Sequence, residues 1–336
     1  MIMEKQTVLS GIRATGKLHL GNYLGAIRYF VQLANDSTKD CFFFIANLHT
    51  LTTRVDPVAM QNDLKGIVLD YIAAGIDPNQ ATIFAQSSVP ETSELNWLLA
   101  CLTTVPELMR MPHFKEKKDK MEDVGETANA GLLTYPVLMA ADILGPKANL
   151  VPVGEDQHPH VELAQELARR FNNNYGQTFP IPELLEQKAI RVPGLDGSGK
   201  MGKSDANTID LSDSPKIIAE KIKVAVTDSN RKRRTDPGDP NKCNIYKLHK
   251  LISTEAEMNW TLAGCKNASI GCIECKQVLA QNVIKLLKPM QERRQEITAN
   301  GTEFVDEILN ANGKKARARI APTVNEVKEK MGVPLY

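Results

Sequence analysis

Two glycine-rich stretches of the 336-residue chain have the composition of phosphate-binding loops. The first, GIRATGKLHLGNYLGA, spans Gly11–Ala26 and directly follows a short apolar run. A strand that ends there and leads into a helix near Gly21 and Asn22 presents free backbone N–H groups and the positive end of a helix dipole to an anion. The spacing matches neither the GxxxxGK[ST] loop nor the GxGxxG motif. An ordinary strand–loop–helix turn, with glycines for close packing, is therefore the alternative interpretation.

The second stretch, GKMGKSDAN, spans Gly199–Asn207 and places Lys200 and Lys203 three residues apart. Two lysines with glycines before and between them make a positively charged loop that can close on a polyphosphate. Such a loop stabilises the charge that develops during displacement at phosphorus. A solvated linker is the alternative for a lone KxxK pair. The position just after an α/β pattern favours the phosphate-binding interpretation.

A third candidate is an acid within the apolar helical pattern Gly131–Leu144. Tyr135, Met139 and Asp142 are spaced four and three residues apart, so they share one helical face. An unpaired buried carboxylate is costly, so Asp142 needs a hydrogen-bonding partner or a polar ligand. An exposed or capping aspartate is the alternative, but the residues on both sides of Asp142 are apolar.

Four of the six cysteines lie within 33 residues of one another, with the spacing C-x21-C-x6-C-x2-C. They are Cys243, Cys265, Cys272 and Cys275. In a reducing compartment, clustered thiols indicate a metal site more often than disulfides. Four thiolates suit either tetrahedral zinc or a 4Fe-4S cluster. Cys41 in CFFFIA and Cys101 in WLLACL are expected to be small core residues.

These candidates need elements that position them, and the apolar pattern indicates two kinds before residue 172. The short buried runs expected to be strands are Thr7–Ser10, Cys41–Asn47, Ala81–Gln86 and Asn149–Val153. The longer segments with helical periodicity are Asn22–Asp36, Pro57–Gly75, Glu91–Leu102 and Glu155–Phe171. Strand–helix alternation of this kind predicts an α/β fold with a parallel sheet covered on both faces.

The other segments have helical composition. Residues 103–144 are expected to form an insertion between sheet units, with the charged run Lys115–Thr127 at its exposed tip. After Arg191 there is no convincing strand, and the expected helices are Pro215–Val226, Asn244–Ile252, Ala256–Ala263, Val278–Glu296 and Phe304–Met331. The predicted organisation is an α/β domain over 1–193, a loop over 194–207 and an all-helical domain over 208–336.

The charge balance excludes some classes of protein. The chain has 41 Lys and Arg against 40 Asp and Glu, a net charge of +1, and 24% charged residues. This excludes a disordered chain and a chain that is basic throughout. Local positive charge lies at Arg231, Lys232, Arg233 and Arg234, and at Lys314, Lys315, Arg317 and Arg319. The apolar runs fall short of the roughly 20 residues that a membrane span needs, so we expect a cytoplasmic protein without a membrane partner.

Several motifs together resemble one enzyme family. HLGN at His19–Asn22 resembles the HIGH signature of class I aminoacyl-tRNA synthetases, and KMGKS at Lys200–Ser204 resembles their KMSKS loop. The segments GLLTYPVLMAADIL, VPVGEDQHPHVELAQELARRFN and AVTDS are similar to tryptophanyl-tRNA synthetases, in collinear order over nearly the whole chain. The resemblance implies a Rossmann-type catalytic domain, a helical domain that binds the tRNA anticodon and a symmetric homodimer.

The resemblance also implies the reaction. L-Tryptophan would react with ATP and Mg²⁺ to give tryptophanyl-adenylate and pyrophosphate, and tryptophan would then pass to tRNA(Trp). The attacking carboxylate is already a nucleophile, so the first step needs no general base. Catalysis then has to come from positioning and from the stabilisation of phosphate charge.

Family roles can be carried onto the matching positions of this sequence. The implied ATP-binding residues are Arg13, Ala14, Thr15, Gly21, Asn22, Gly154, Glu155, Asp156, Val192, Lys200, Met201, Gly202, Lys203 and Ser204. The implied catalytic residues are His19, Asn22, Lys200, Lys203 and Ser204. The implied tryptophan-binding residues are His49, Tyr135, Met139, Asp142 and Gln157, with Asp142 accepting the indole N–H.

The resemblance also bears on the four clustered cysteines. A subgroup of the family has a very similar four-Cys pattern, with a first gap one residue longer, and holds a 4Fe-4S cluster near the anticodon. We therefore expect a 4Fe-4S cluster at Cys243, Cys265, Cys272 and Cys275, with zinc as the alternative.

Three positions depart from the family pattern. Gly202 replaces the usual Ser of the signature loop, Asn47 stands where many relatives have Asp, and Gly145–Pro146 replaces bulky residues. These changes are expected to affect rates rather than to remove activity. A tyrosine-specific enzyme is one alternative, which Met139 and Asp142 argue against. A non-catalytic paralogue is another, supported only by Gly202 and Asn47.

Overall fold

A five-stranded parallel sheet lies in the N-terminal half of the computed structural model, which describes residues 5–112, 114, 123, 127–186, 190–197, 199–202 and 207–335. The strands are β1 (Gln6–Ile12), β2 (Lys39–Ile45), β3 (Thr82–Ala85), β4 (Leu150–Val153) and β5 (Glu183–Glu186). Their order is β3-β2-β1-β4-β5, and all pairs are parallel. The α/β fold expected from the sequence is confirmed.

The outer strand β5 is the strand that the sequence pattern missed. It has four residues, ELLE, of which two are charged, and it pairs only with β4, with Leu184 beside Val151 and Leu185 beside Pro152. A short edge strand needs neither a long apolar run nor a second neighbour, so its sequence carries little signal.

Helices cover both faces of the sheet. The first, α1 (Leu20–Asn22), continues through a π-helical turn (Tyr23–Ile27) into α2 (Arg28–Ala34). Next in the chain are α3 (Asn47–Thr50), α4 (Pro57–Ala74), α5 (Pro90–Ala100), α6 (Val105–Met109), α7 (Ala130–Leu144) and α8 (His158–Tyr175). Helix α4 shows how local sequence sets the ends: Asp56 accepts a hydrogen bond from the Ala59 N–H, and Gly75 ends the helix with a φ of 112°.

Successive strand residues pack into two cores, one on each face of the sheet. Val8 and Phe43 face the side covered by α2 and α4, where the Phe43 ring stacks on Phe30 at 4.7 Å. Leu9 and Phe42 face the other side, which α7 and α8 cover. The burial of each large apolar side chain contributes about 1.5–3 kcal/mol to the stability of the fold. The two cores therefore hold the sheet rigidly, including the carboxyl edge from which the loops leave.

The C-terminal half is helical over its described residues. Its helices are α9 (Pro215–Val224), α10 (Asn244–Ile252), α11 (Glu255–Lys266), α12 (Cys272–Thr298) and α13 (Glu303–Lys330). Helix α13 returns to the sheet, where Ile320 joins the core that contains Leu9. Arg319 donates hydrogen bonds to Pro146 O at 3.0 Å and Thr7 Oγ1 at 3.1 Å. The last helix therefore packs against the N-terminal half, and the boundaries proposed between domains stay a prediction.

The two cysteines expected in the core differ in their exposure. Cys101, expected in the core, is exposed just beyond the end of α5, whereas Cys41 is buried as expected. Apolar neighbours in sequence misled the prediction, because the last turn of α5 has one side turned to solvent. The charged run Lys115–Thr127 lies outside the described residues, apart from Asp123 and Thr127.

A search of the described helices for a membrane-spanning segment finds none that is sufficiently long and apolar.

The strand order places a switch point between β1 and β4. The chain builds β1, β2 and β3 outward in one direction and then returns to add β4 on the other side of β1. Ser10 Oγ donates to Pro152 O at 3.0 Å across this junction. Loops diverge beyond the carboxyl ends of the two central strands, which is where open α/β sheets bind ligands.

Candidate active site

A cavity of about 770 Å³ opens at the carboxyl ends of β1 and β4. Strand residues Ser10, Gly11 and Val153 form part of its wall. The cavity brings together all five residues expected to bind tryptophan, which are His49, Tyr135, Met139, Asp142 and Gln157. Tyr135, Met139 and Asp142 reach it from one face of α7, as their spacing predicts.

Asp142 is 5% exposed and lies within a hydrogen-bonded network. His49 Nε2 is 2.8 Å from Asp142 Oδ2, and Gln86 Nε2 donates to both carboxylate oxygens at 2.9 Å. Burial raises the pKa of the Asp142 carboxyl, while the contacts with His49 and Gln86 oppose that rise. These partners keep a buried carboxylate in place at the wall of the cavity.

Gln86 also holds the segment that carries His49. Its Oε1 accepts hydrogen bonds from the Leu48 N–H at 3.0 Å and from the His49 N–H at 3.3 Å. The side chain is 1% exposed and lies directly after β3, behind Asp142 as seen from the cavity. One amide thus fixes both the carboxylate and the start of α3.

Tyr135 has a second buried partner in His160. The Tyr135 hydroxyl lies 2.7 Å from His160 Nε2, and His160 is fully buried in the first turn of α8. Burial raises the pKa of Tyr135 to about 12, so the phenol stays protonated at neutral pH. The contact fixes the orientation of the Tyr135 ring beside the cavity.

A second cavity, of about 1070 Å³, adjoins the first between the two signature loops. It is lined by His19 and by eleven of the fourteen residues expected to bind ATP, which are Arg13, Thr15, Gly21, Asn22, Gly154, Glu155, Asp156, Val192, Lys200, Met201 and Gly202. Ala14 is not among the lining residues and is 1% exposed in the core. Lys203 and Ser204 lie outside the described residues.

The first signature loop is held by its own side chains and by a later segment. His19 Nδ1 accepts from the Gly21 N–H at 3.1 Å, and Asn22 Oδ1 accepts from the His19 N–H at 3.1 Å. The Leu20 N–H donates to Ile209 O at 2.8 Å. A Cβ on Gly21 would lie 2.9 Å from the His19 ring, so glycine is required at this close approach.

Arg13, Asp156 and Lys200 line both cavities. Lys200 Nζ lies 3.9 Å from Asp156 Oδ2 across the junction, and the Lys200 side chain is 71% exposed. Two cationic side chains and one carboxylate therefore stand where the two cavities meet. A carboxylate substrate in one cavity and a phosphate in the other would face each other at this junction.

Each of the three departures from the family pattern lies close to another residue in the structure. Asn47 Nδ2 donates to Ser87 Oγ at 2.7 Å, and Asn47 Oδ1 accepts from the Ser87 N–H at 3.0 Å. A Cβ on Gly145 would lie 3.0 Å from Ile320 Cγ2, so a bulky residue there would push α13 away. The Gly202 N–H donates to Asn207 Oδ1 at 3.0 Å.

The four clustered cysteines converge on a second, smaller site. Cys243, Cys265, Cys272 and Cys275 all line one cavity of about 20 Å³, and the first, second and fourth are buried. Arg231 Nη1 donates to Cys265 Sγ at 3.7 Å. A Cβ on Gly238 would lie 2.6 Å from the same sulfur, so glycine there allows the loop before α10 to cover the site.

None of the six cysteines, all within the described residues, is in a disulfide. Among the residues that the structure describes, no three His, Cys, Asp or Glu side chains are grouped so as to hold a metal ion.

Two residues of the first site escaped sequence reasoning. Gln86 follows a strand at its carboxyl end, where a polar residue often faces a ligand, and this was the only available signal. His160 lies in HPHVEL, within a segment that resembles the family, yet nothing in its spacing links it to Tyr135. Both contacts depend on how α7 packs against β3 and α8.

Comparison with known proteins shows which family the chain belongs to. The family profile described as tRNA synthetases class I (W and Y) matches residues 3–288. Tryptophan–tRNA ligases of Deinococcus radiodurans and Thermotoga maritima are each 42% identical over 328 residues, which cover 97% of this chain and 98% and 99% of theirs.

Solved structures agree with the sequence relatives. A tryptophanyl-tRNA synthetase from Campylobacter jejuni, complexed with ADP and tryptophan, is 35% identical and superposes with a TM-score of 0.84 over 97% of this chain and all of that one. A synthetase from Mycoplasma pneumoniae is 30% identical, with a TM-score of 0.81. This chain belongs to the class I tRNA synthetases of the tryptophan and tyrosine family and, within it, to the tryptophan–tRNA ligases.

Proposed function

We propose that the protein activates L-tryptophan with MgATP in the two adjoining cavities and then transfers tryptophan to tRNA(Trp). The observation that carries this proposal is the junction where Arg13, Asp156 and Lys200 line both cavities. One cavity has a buried acceptor for a ring N–H, and the other has glycines and backbone N–H groups suited to phosphates. The two reacting groups would meet between them.

The first step is a displacement at phosphorus. A carboxylate oxygen of tryptophan forms a bond to the α-phosphorus of ATP, and the bond from that phosphorus to the bridging oxygen breaks to release pyrophosphate. No proton is transferred, so the protein acts by alignment and by charge stabilisation. In the second step a ribose hydroxyl oxygen of the tRNA forms a bond to the acyl carbon of the adenylate, the bond from that carbon to the phosphate oxygen breaks, and the hydroxyl proton leaves with AMP.

The residues around the second cavity would handle the nucleotide. Arg13 and Lys200 would neutralise charge at the junction as the leaving group forms. The backbone near Gly21 and Asn22 and the segment Gly154–Asp156 would hold phosphate, ribose and adenine, with Val192 beside the base. Lys203 and Ser204 are included from the sequence motif alone.

The residues around the first cavity would select the amino acid. Asp142 would accept the indole N–H, and Met139 would pack against the ring. Tyr135 and Gln157 would bind the ammonium group, with His49 supporting Asp142. A substrate without the N–H cannot make this hydrogen bond to the carboxylate, which costs roughly 10⁴-fold or more in specificity.

The helical half would bind tRNA through its exposed basic residues. Lys232 and Arg233 are exposed beside the four-Cys site, and Arg234 is exposed beside Glu274. Arg231 is instead used internally, with Nη2 donating to Ile270 O at 2.6 Å. Phosphate contact by the first three would give binding that weakens as salt increases.

A homodimer is supported by an apolar surface on α5 and α6. Trp97, Val105 and Met109 are 70%, 58% and 59% exposed, and the neighbouring Cys101 is also exposed. Exposed large apolar side chains grouped in this way are typical of a subunit interface. Sedimentation equilibrium at micromolar concentration should give a dimer mass, and a monomer at every concentration would contradict the proposal.

The four-Cys site would hold a 4Fe-4S cluster. Convergence of four thiols on one small cavity supports a bound group, and the resemblance of the four-Cys pattern to the cluster-binding subgroup favours a cluster over zinc. The cluster would supply a rigid cross-link among α10, α11 and α12. Cys243, Cys265, Cys272 and Cys275 would be its ligands.

Pyrophosphate exchange into ATP tests the proposed reaction. Exchange should depend on tryptophan and MgATP, while tyrosine should support less than about one-hundredth of the rate, because Asp142 and Met139 are built for the indole. Exchange with tyrosine alone would favour the tyrosine-specific alternative. No exchange with either amino acid would identify a non-catalytic paralogue.

Replacement of Gln86 tests the network behind the indole-binding carboxylate. Gln86→Leu removes two hydrogen bonds that lower the pKa of Asp142, so that pKa should rise further. The ionised carboxylate accepts the indole N–H, so protonation of Asp142 should weaken tryptophan binding. As the pH is lowered, the variant should therefore lose affinity at a higher pH than the wild type does. We expect a loss of about tenfold in affinity at neutral pH.

Calorimetric titration of tryptophan between about pH 5 and about pH 8, above the ordinary aspartate pKa of about 3.9, measures this effect. Gln165→Leu is the matched control, because that amide donates only to Pro182 O, away from both cavities. A Gln86→Leu profile that follows the wild type at every pH would refute the role of Gln86.

Metal analysis tests the four-Cys site. Protein purified without oxygen should contain about four iron and four inorganic sulfide per chain and absorb in the visible range. Cys272→Ser should lower the iron content strongly, whereas Cys101→Ser should leave it unchanged, because Cys101 lies outside the site. One zinc per chain without iron would overturn the cluster assignment.

A further inference from the structure

The second signature loop is anchored by a residue of the helical half that no motif identifies. Asn244 is the first residue of α10 and is 4% exposed. Its Nδ2 donates to Gly194 O at 2.5 Å, at the point where the loop begins. The next carbonyl, Leu195 O, accepts from the Val226 N–H at 2.8 Å. Two successive loop carbonyls are therefore held from the helical side.

The described residues of the loop are also joined to one another by hydrogen bonds. The Leu195 N–H donates to Asn207 O at 2.9 Å, which joins the two ends. Inside the loop, Asn207 Oδ1 accepts from the Gly202 N–H, and Asn207 Nδ2 donates to Asp196 Oδ1 at 3.1 Å. A Cβ on Gly194 would lie 2.3 Å from Asn207 Nδ2, so only glycine fits beside this side chain.

A second side chain of the helical half supports the other anchoring segment. Lys276 Nζ donates to Lys223 O at 2.8 Å and to Ala225 O at 2.6 Å, and Ala225 directly precedes Val226. Lys276 is one turn into α12 and follows Cys275, just as Asn244 follows Cys243. The two supports of the loop thus each come directly after a cysteine of the four-Cys site.

We propose that Asn244 is a positioning residue for amino-acid activation: through Gly194 it sets the place of Lys200 at the junction of the two cavities. The inference rests on the proposed function, because Lys200 matters only if the junction holds phosphate. Asn244 touches neither cavity, so its effect reaches the substrates through the loop. A displacement of about 1 Å in a positioning group can cost on the order of 100-fold in rate.

Rapid mixing of enzyme, tryptophan and MgATP, with the single-turnover rate of adenylate formation as the readout, tests the proposal. In Asn244→Ala the rate should fall by about tenfold to 100-fold, while the affinity for tryptophan alone, measured by calorimetry, stays within about twofold. Lys276→Met should lower the rate in the same direction. Iron and zinc are measured in each variant, and rates are compared at equal metal content.

Asn282→Ala is the matched control. Asn282 lies in the same helical half and donates to Ser253 Oγ and Glu257 Oε2, with no contact to the loop, so its rate should match the wild type. If Asn244 were merely structural, tryptophan affinity and thermal stability would fall together with the rate, and the proposal would be wrong. The proposal would also be overturned if Asn244→Ala kept the wild-type rate. If Asn244→Ala does not fold, a wild-type rate in Lys276→Met would overturn it.

The proposed function and the role of Asn244 would be rejected by different results. Wild-type protein without tryptophan-dependent adenylate formation would reject the function itself. Active wild-type protein with an unaffected loop variant would reject only the role of Asn244.

Discussion

The burial of one carboxylate is the constraint on which the candidate site depends. Asp142 lies in α7 among apolar residues, where an unpaired charge would be costly. Contacts of the carboxylate with His49 and Gln86 offset this cost. Both residues lie at the carboxyl edge of the sheet. The network therefore requires that α7 and strands β2 and β3 pack in one arrangement. The same arrangement shapes the first cavity and places Asp142 in its wall.

The second constraint is the joining of the two halves of the chain. The segment after the second signature loop pairs with the first signature loop through Leu20 and Ile209. Gln291 of α12 donates to Leu211 O and to Asp213 O just beyond it. Because α12 begins at Cys272 in the four-Cys site, one long helix connects that site with the segment that joins the two signature loops. A rigid group held by the cysteines would stabilise the frame on which the loops stand.

Local patterns in the sequence predicted the elements and the residues that share one element. The spacing of Tyr135, Met139 and Asp142 predicted a common face, and the three side chains do line one cavity. Such patterns carry no information about contacts between distant segments, such as those of Gln86 with Asp142 or Asn244 with Gly194. The error at Cys101 has the same origin.

Charge clusters were similarly ambiguous in the sequence. Arg319 belongs to a group of basic residues that gives the sequence local positive charge, yet its guanidinium holds α13 to Pro146 and Thr7. Arg231 is used against Ile270 and Cys265. A basic residue can bind a carbonyl of its own chain as well as a phosphate, and only the packing of helices decides which.

The preference for tryptophan over phenylalanine in an Asp142→Ala variant tests the central claim most directly. Both substrates have an aromatic side chain, but only tryptophan has an N–H from which the carboxylate can accept a hydrogen bond. The ratio of kcat/KM values for the two amino acids in pyrophosphate exchange should fall by roughly 10³-fold to 10⁴-fold relative to the wild type. A folded Asp142→Ala variant that keeps the wild-type ratio would contradict the account.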